Sequence, residues 1–250
     1  FGCLGILYLL STAPTYHREA TVLIKDARRG GAASELSAFA DIAGISTRRS
    51  VDNELYVLQA RRLMLDVVER LNLTTSYTTK SRLRTITLYK NSPIEVSYVD
   101  DLGGKACDFT ALLSADGVTI SEFECSRAAN EKDKKKSDEL FTATAKYGEV
   151  INIPIGQIVI EPTLYFGEEV IGKEILVLKS TKEAIATAYR NKMQISVASK
   201  MASIINLSLN DVVPQRADDI LNTLLDVYND DAVIDKQIVS EATAKFITER

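Results

Sequence analysis

The stretch Gly167-Glu168-Glu169-Val170-Ile171-Gly172-Lys173-Glu174 carries the glycine spacing and the lysine of a phosphate-binding loop. In such a loop, backbone N–H groups cradle a polyphosphate and a Ser or Thr hydroxyl after the lysine holds magnesium. Here that last position is Glu174, and two glutamates inside the loop would repel phosphate. A strand pattern follows where the chemistry needs a helix N-terminus. The stretch reads as a glycine-bounded turn.

His17 is the sole histidine, which rules out a multi-histidine metal site and leaves any Ser-His-Asp arrangement without an accompanying nucleophile motif. It reads as a juxtamembrane polar residue. The acidic pairs Asp100-Asp101, Glu168-Glu169, Asp218-Asp219 and Asp230-Asp231 would need burial and convergence for acid–base work. They lie in turn-like or helix-surface contexts and read as solvated surface. Lys134-Lys135-Lys136 is interleaved with Glu131, Asp133, Asp138 and Glu139, so Arg127 to Glu139 reads as a solvated loop. A formal charge of −4 argues against a nucleic-acid partner, which requires a concentrated basic face. No catalytic residue, cofactor or metal ligand set is expected in this segment.

Cys3, Cys107 and Cys125 are too few for a disulfide scaffold. Ser114-Ala115-Asp116-Gly117 is an Asp-Gly hairpin signal between Ala106 to Leu113 and Val118 to Cys125. A three-residue loop with Gly117 left-handed would pair Ser114 with Val118. Counting seven residues outward on each side then sets Cys107 opposite Cys125. Facing cysteines form a cross-strand disulfide in an oxidising compartment if the geometry allows, or stay as two small buried thiols.

The elements that would carry these residues alternate between short strands and sparse helices. Tyr16 to Asp26 reads as a strand, Arg28 to Gly31 as a link, and Ser34 to Ala43 as a short helix with Gly44 as its C-cap. Val51 to Asn72 reads as a helix with Leu55, Leu58, Leu65, Val68 and Leu71 inward. Ser81 to Leu88 is helix or strand, since periodicity alone does not decide. Further strands are expected at Ile94 to Val99, Leu140 to Ala145, Val150 to Ile153, Gln157 to Ile160, Glu174 to Lys179, Met193 to Ala198 and Ser203 to Asn210, with a helix at Thr181 to Asn191. This order predicts an α+β fold, a mixed sheet packed with a few helices.

The two ends shape the expected organisation. Phe1 to Leu10 is apolar but shorter than the ~20 residues that span a bilayer. It reads as the end of a transmembrane helix (residues 1–12), with a signal-peptide core or a buried strand as alternatives. Residues 13–250 then form one domain. At the other end, Pro214 suits a first helical turn and Asp211 can cap it; Ala217, Ile220, Leu221, Leu224, Leu225 and Tyr228 form one stripe. The pattern continues without a stop signal, and Thr243 to Arg250 has few apolar positions, so residues 213–250 read as the root of a long projecting helix.

Several segments, in order, carry a resemblance. They are Pro14-Thr15-Tyr16 with Leu23-Ile24-Lys25-Asp26; Val51 to Arg61, centred on Asn53-Glu54; Ser92-Pro93-Ile94-Glu95-Val96; and Pro214, Ala217, Ile220-Leu221-Asn222, Leu225, Tyr228-Asn229, Thr243 and Phe246-Ile247. The arrangement resembles the periplasmic domain of the polysaccharide co-polymerase family, the Wzz-type chain-length determinants and the Wzc-like bacterial tyrosine autokinases. Gln59-Ala60 stands where that family more usually has Lys-Ser. The resemblance implies a membrane-anchored inner-membrane protein with this domain in the periplasm. It would assemble into a homo-oligomeric ring and work with a polysaccharide polymerase and an outer-membrane export channel on capsular or exopolysaccharide. It assigns Asn53, Glu54, Pro93, Pro214, Asn222, Tyr228 and Phe246 structural roles. The long strand segment Phe141 to Pro162 favours the kinase branch, whose kinase would lie outside this segment. The alternative is a periplasmic glycan-binding or adaptor domain of an export complex without a kinase.

Overall fold

The computed structural model describes residues 12–24, 47–81, 84–99, 104–126, 141–198 and 204–248. The expected apolar opening segment, the Ser34 to Ala43 helix, Asp100-Asp101, the Arg127 to Glu139 loop and the Phe246 side chain lie outside them. Among the described residues no helix is long and apolar enough to cross a membrane.

The fold is α+β, and the chain divides into two compact units, Asn72–Ile185 and Tyr16–Leu71 with the residues from Ala186 onward. One mixed sheet was expected. The described strands instead form three sheets in which every pairing is antiparallel. Tight turns such as Ala115-Asp116 and Pro154-Ile155 join consecutive strands, while Tyr16–Leu23 with Ile204–Asp211, Glu174–Lys179 with both Thr75–Lys80 and Ala106–Leu113, and Ile94–Tyr98 with Gly156–Pro162 pair antiparallel across long stretches of chain.

The first unit contains a six-stranded sheet in the order β3 (Thr85–Leu88), β2 (Thr75–Lys80), β10 (Glu174–Lys179), β5 (Ala106–Leu113), β6 (Gly117–Ser126) and β7 (Ala143–Lys146). A second sheet has the order β4 (Ile94–Tyr98), β9 (Gly156–Pro162), β8 (Val150–Ile153). Alternation puts Phe109, Ala111, Leu113, Val118, Ile120, Ile175 and Val177 of the larger sheet in one core with Ile94, Val96, Ile151, Ile153, Ile158 and Ile160 of the smaller. Each such aliphatic side chain contributes about 1.5–3 kcal/mol when fully buried. The Tyr77 hydroxyl accepts the Val96 N–H at 2.9 Å, joining β2 to β4, and burial pushes its phenol up to about 12. Of the ambiguous Ser81 to Leu88 segment, Thr85–Leu88 forms the short strand β3 and residues 82 and 83 lie outside the described residues.

The Asp-Gly hairpin closes one residue earlier than its signal suggests, with Leu113 rather than Ser114 opposite Val118. Ser114 donates its N–H (2.9 Å) and hydroxyl (2.6 Å) to the Gly117 carbonyl. Gly117 is not left-handed. It is glycine because a Cβ there would run into the Ala145 carbonyl of β7. Further along, the register shifts between Asp108 and Thr110: a bulge on β6 places Glu122 at φ +53° and restores the register in which Cys107 faces Cys125.

The second unit has the sheet β1 (Tyr16–Leu23), β12 (Ile204–Asp211), β11 (Gln194–Val197), with β12 central. The helix expected over Val51 to Asn72 is two helices, α1 (Thr47–Leu58) and α2 (Arg61–Arg70). Ala60 between them is extended (φ −63°, ψ 136°). No proline or glycine marks the break. It re-aims the second helix so that Leu58 and the cluster Leu63, Met64, Val67 and Val68 are all buried, whereas a continuous helix would splay them around its axis. Leu55, Leu65 and Leu71 are consequently only half-buried. Asn72, at φ 49°, ends α2 in a left-handed turn. Helix α3 (Lys182–Lys192) is capped by Thr181, whose hydroxyl accepts the Ala184 N–H at 3.1 Å.

Helix α4 (Pro214–Thr248) runs for 35 residues. Its buried stripe is Ala217, Ile220, Leu221, Leu224 and Val227; Leu225, expected inward, is half-buried. The helix starts from Asp211 on the core face of β12. This carboxylate, 4% exposed, accepts the Val213 N–H at 2.8 Å and two bonds from the Arg216 guanidinium at 2.6 and 3.0 Å. The Tyr189 hydroxyl of α3 stands 3.4 Å away. Asp211→Ala removes the buried carboxylate to which the Val213 N–H and the Arg216 guanidinium donate, and is expected to cost about 3–5 kcal/mol in a denaturant melt. A loss below about 1 kcal/mol contradicts this reading of the junction.

Candidate functional site

The phosphate-loop look-alike is a turn. Gly167 precedes a single 3-10 turn, Glu168–Val170, and Gly172 at φ +78° feeds the chain into β10. Gly172 N–H donates to the Leu113 carbonyl at 2.8 Å and Leu113 N–H to the Lys173 carbonyl at 3.1 Å, so this backbone is committed to β5.

Three carboxylates of the acidic pairs on α4, Asp218, Asp230 and Asp231, are met by arginines. Arg18 of β1 lies 3.4 Å from Asp218, Arg70 of α2 lies 2.8 Å from Asp230, and Arg62 pairs with Asp231. These contacts tie β1 and α2 to α4, and exposed pairs of this kind contribute up to about 1 kcal/mol each. Among the described residues no group of three or more His, Cys, Asp or Glu side chains converges on a metal-sized site.

Two of the motif residues meet. Glu54 on α1 accepts a 2.7 Å hydrogen bond from the Tyr228 hydroxyl on α4. Burial, then this bond, then the carboxylate charge hold the Tyr228 phenol well above its ordinary range. Pro214 occupies the first position of α4, where a missing N–H is harmless. Pro93 is buried ahead of β4, and its carbonyl accepts the Thr163 N–H at 3.0 Å. Asn53 and Asn222 are exposed. Pairing Glu54 with Tyr228 was not legible from the sequence, because nothing local fixes the approach of α1 to α4.

His17 sits on β1 directly opposite Asn210 of β12. Its Nδ1 lies 2.7 Å from Asn210 Oδ1 and its Nε2 2.9 Å from Glu19 Oε1. Both neighbours present acceptors, so the doubly protonated ring suits the site, and its pKa is raised above 6.5 by Asn210 first and Glu19 second.

The outward face of the six-stranded sheet was missed by sequence reasoning, partly because β2 (Thr-Ser-Tyr-Thr-Thr-Lys) has almost no apolar alternation. Cross-strand pairing aligns Thr87, Thr78, Leu176, Thr110 and Ser121 in one row. Glu174, Leu112, Thr119 and Thr144 form the next. Leu112, Leu176 and Leu178 are exposed among these hydroxyls. Thr119 and Thr144 hydroxyls share a bond at 3.1 Å, and Thr110 donates to Glu122 at 2.9 Å. Asp108 and Glu124, opposite one another, form an acidic margin; burial and the Glu124 charge raise the Asp108 pKa.

No protein-family model and no curated protein matches the chain. Among solved structures, a crystal structure of FlgL from Xanthomonas campestris aligns with 69% of this chain and 49% of its own, at 15% identity and a TM-score of 0.23. The chain thus spans about half the length of that protein, and a likeness at this level carries no argument.

Two measurements test the polar contacts. Tyr228→Phe removes the donor to Glu54 and is expected to lower the unfolding free energy by about 1–2 kcal/mol in urea melts, with under about 0.3 kcal/mol contradicting the contact. For His17, the folded pKa exceeds the unfolded value of 6.5, so its stabilisation is fully present below that pH and is lost as pH rises through the folded pKa. An NMR titration should find the His17 midpoint above 6.5 and lowered by Asn210→Ala; a midpoint at or below 6.5 contradicts it.

Proposed function

We propose that this chain is the periplasmic module of a membrane-anchored polysaccharide co-polymerase. In this reading it is a non-catalytic, ring-forming element that works beside a polymerase and an export channel to regulate the chain length and export of a capsular or exopolysaccharide. The ordered motif segments from Pro14 to Phe246 support that reading, and so does the way β1 pairs with β12, the strand that leads into α4. β1 and the strand that feeds α4 thus lie side by side in one sheet. A tyrosine autokinase on the cytoplasmic side belongs to the same proposal and lies outside this segment.

One observation carries the assembly role. Beyond its buried stripe, α4 exposes Val233, Ile234 and Ile238, each more than half accessible. Apolar side chains clustered on a helix surface favour burial against a partner. A second copy presenting the same helix is the partner this reading requires.

A glycan-binding or adaptor role is a second reading, favoured by the hydroxyl-rich outward face of the six-stranded sheet. Its Asp108 and Glu124 margin suits an uncharged oligosaccharide better than an acidic one. Titrating the chain with neutral and acidic oligosaccharides separates it from the first reading.

The assembly role is tested with the full-length protein in detergent. Light scattering should find a homo-oligomer, and Ile234→Glu with Ile238→Glu should shift it to monomer while leaving the circular dichroism spectrum unchanged. A strictly monomeric full-length protein, or an oligomer indifferent to both substitutions, contradicts it.

A further inference from the structure

Cys107 and Cys125 stand directly opposite one another on β5 and β6, and the backbone bonds show which kind of pair they make. Ser114 donates its N–H to Gly117 of the β6 strand, and Leu113 donates to Lys173 on the other side. Backbone directions alternate along a strand. β5 keeps unbroken register with β10 from Leu112 to Cys107, so the alternation runs through without a slip. Leu112, Thr110 and Asp108 turn their backbone groups toward β6, whereas Ala111, Phe109 and Cys107 turn theirs toward β10. The extra residue of the bulge lies on β6, between Ser121 and Glu124, and leaves this parity of β5 untouched.

Cys107 and Cys125 are therefore a non-hydrogen-bonded pair, the kind whose Cα atoms approach to about 4.5 Å with side chains on the same face. That separation falls within the roughly 4.4–6.8 Å that a disulfide spans. The two thiols, free in this structure, differ in access: Cys125 is exposed and Cys107 is buried.

We propose that Cys107 and Cys125 form a reversible cross-strand disulfide by exchange with a small-molecule or protein disulfide donor, and that Cys125 reacts first. The Cys125 thiolate attacks one donor sulfur, breaks the donor S–S bond and releases one donor thiolate. The Cys107 thiolate then attacks the Cys125 sulfur, forms the cross-strand bond and expels the second donor thiolate. Two cysteine thiols are oxidised by two electrons, the donor disulfide is reduced by two, and the two thiol protons end on the released donor thiols. Burial, with the neighbouring Cys125 and Asp108 adding to it, pushes the Cys107 thiol up to about 11. The second step is therefore slow and the mixed disulfide on Cys125 is observable. Once formed, the bond pins the bulged end of β6 to β5. This inference does not rest on the polysaccharide reading.

The test uses the reduced 250-residue chain carrying Cys3→Ser, mixed with oxidised glutathione at about pH 8 and followed by mass spectrometry of alkylated, acid-quenched samples. A single adduct should appear on Cys125 and decay into a peptide cross-linked through Cys107, with both thiols lost to alkylation. The melting temperature should rise by about 5–10 °C. Cys107→Ser should stop at a lasting adduct on Cys125, and Cys125→Ser, a change at an exposed site, should stay unmodified. The proposal is overturned if the adduct persists in the parent chain while Cys107 remains alkylatable after denaturation. An adduct on Cys107 in the Cys125→Ser chain, or no reaction of the folded parent, overturns it equally.

Discussion

A carboxylate on the core face of a strand has to be matched by donors, because burying an unpaired charge costs several kcal/mol. Asp211 is in that position at the end of β12, and its donors come from three places at once: the Val213 N–H, the Arg216 side chain on the first turns of α4, and Tyr189 on α3. Satisfying this one group fixes where the strand stops and which way the helix leaves. Ala217, Ile220, Leu221, Leu224 and Val227 then fall on the core side without further instruction. The arginine pairs to Asp218, Asp230 and Asp231 and the Glu54–Tyr228 bond extend the same attachment along the helix.

The other unit depends on alternation rather than on charge. Its two sheets share one apolar core, and the price of that core is an exact side-chain parity along β5, β6 and β10. The bulge at Glu122 lets β6 add a residue while Phe123 still joins the core cluster. The same parity leaves threonines, serines and three leucines on the outward face.

Much of the architecture was legible because it follows from local rules. Pro214 and the three-and-four spacing marked the start and face of α4, and the helix expected over Thr181 to Asn191 is α3. Strand alternation marked β5 and β6, and the expected cysteine pairing emerged although the turn closes one residue early, because the bulge adds the residue back. Other features depend on tertiary contacts that no local pattern reports. The α1–α2 break has neither glycine nor proline and is fixed by which side chains are buried on each side. Strand β2 is nearly all threonine and serine, so it becomes a strand through its neighbours β3 and β10. The three-sheet arrangement likewise depends on which strands find one another, and Glu54 meets Tyr228 only once α1 and α4 are packed.

In the proposed assembly role α4 has an anchored root and a distal segment left for a partner, a division that hydrogen exchange reads most directly. In the 250-residue chain, amides from Arg216 to Val227 should exchange near the rate of global unfolding and those from Val233 to Glu241 much faster. In the full-length oligomer the second group should become protected. Uniform protection along the helix in the chain alone, or a distal segment unchanged in the oligomer, would contradict the division on which the proposed role depends.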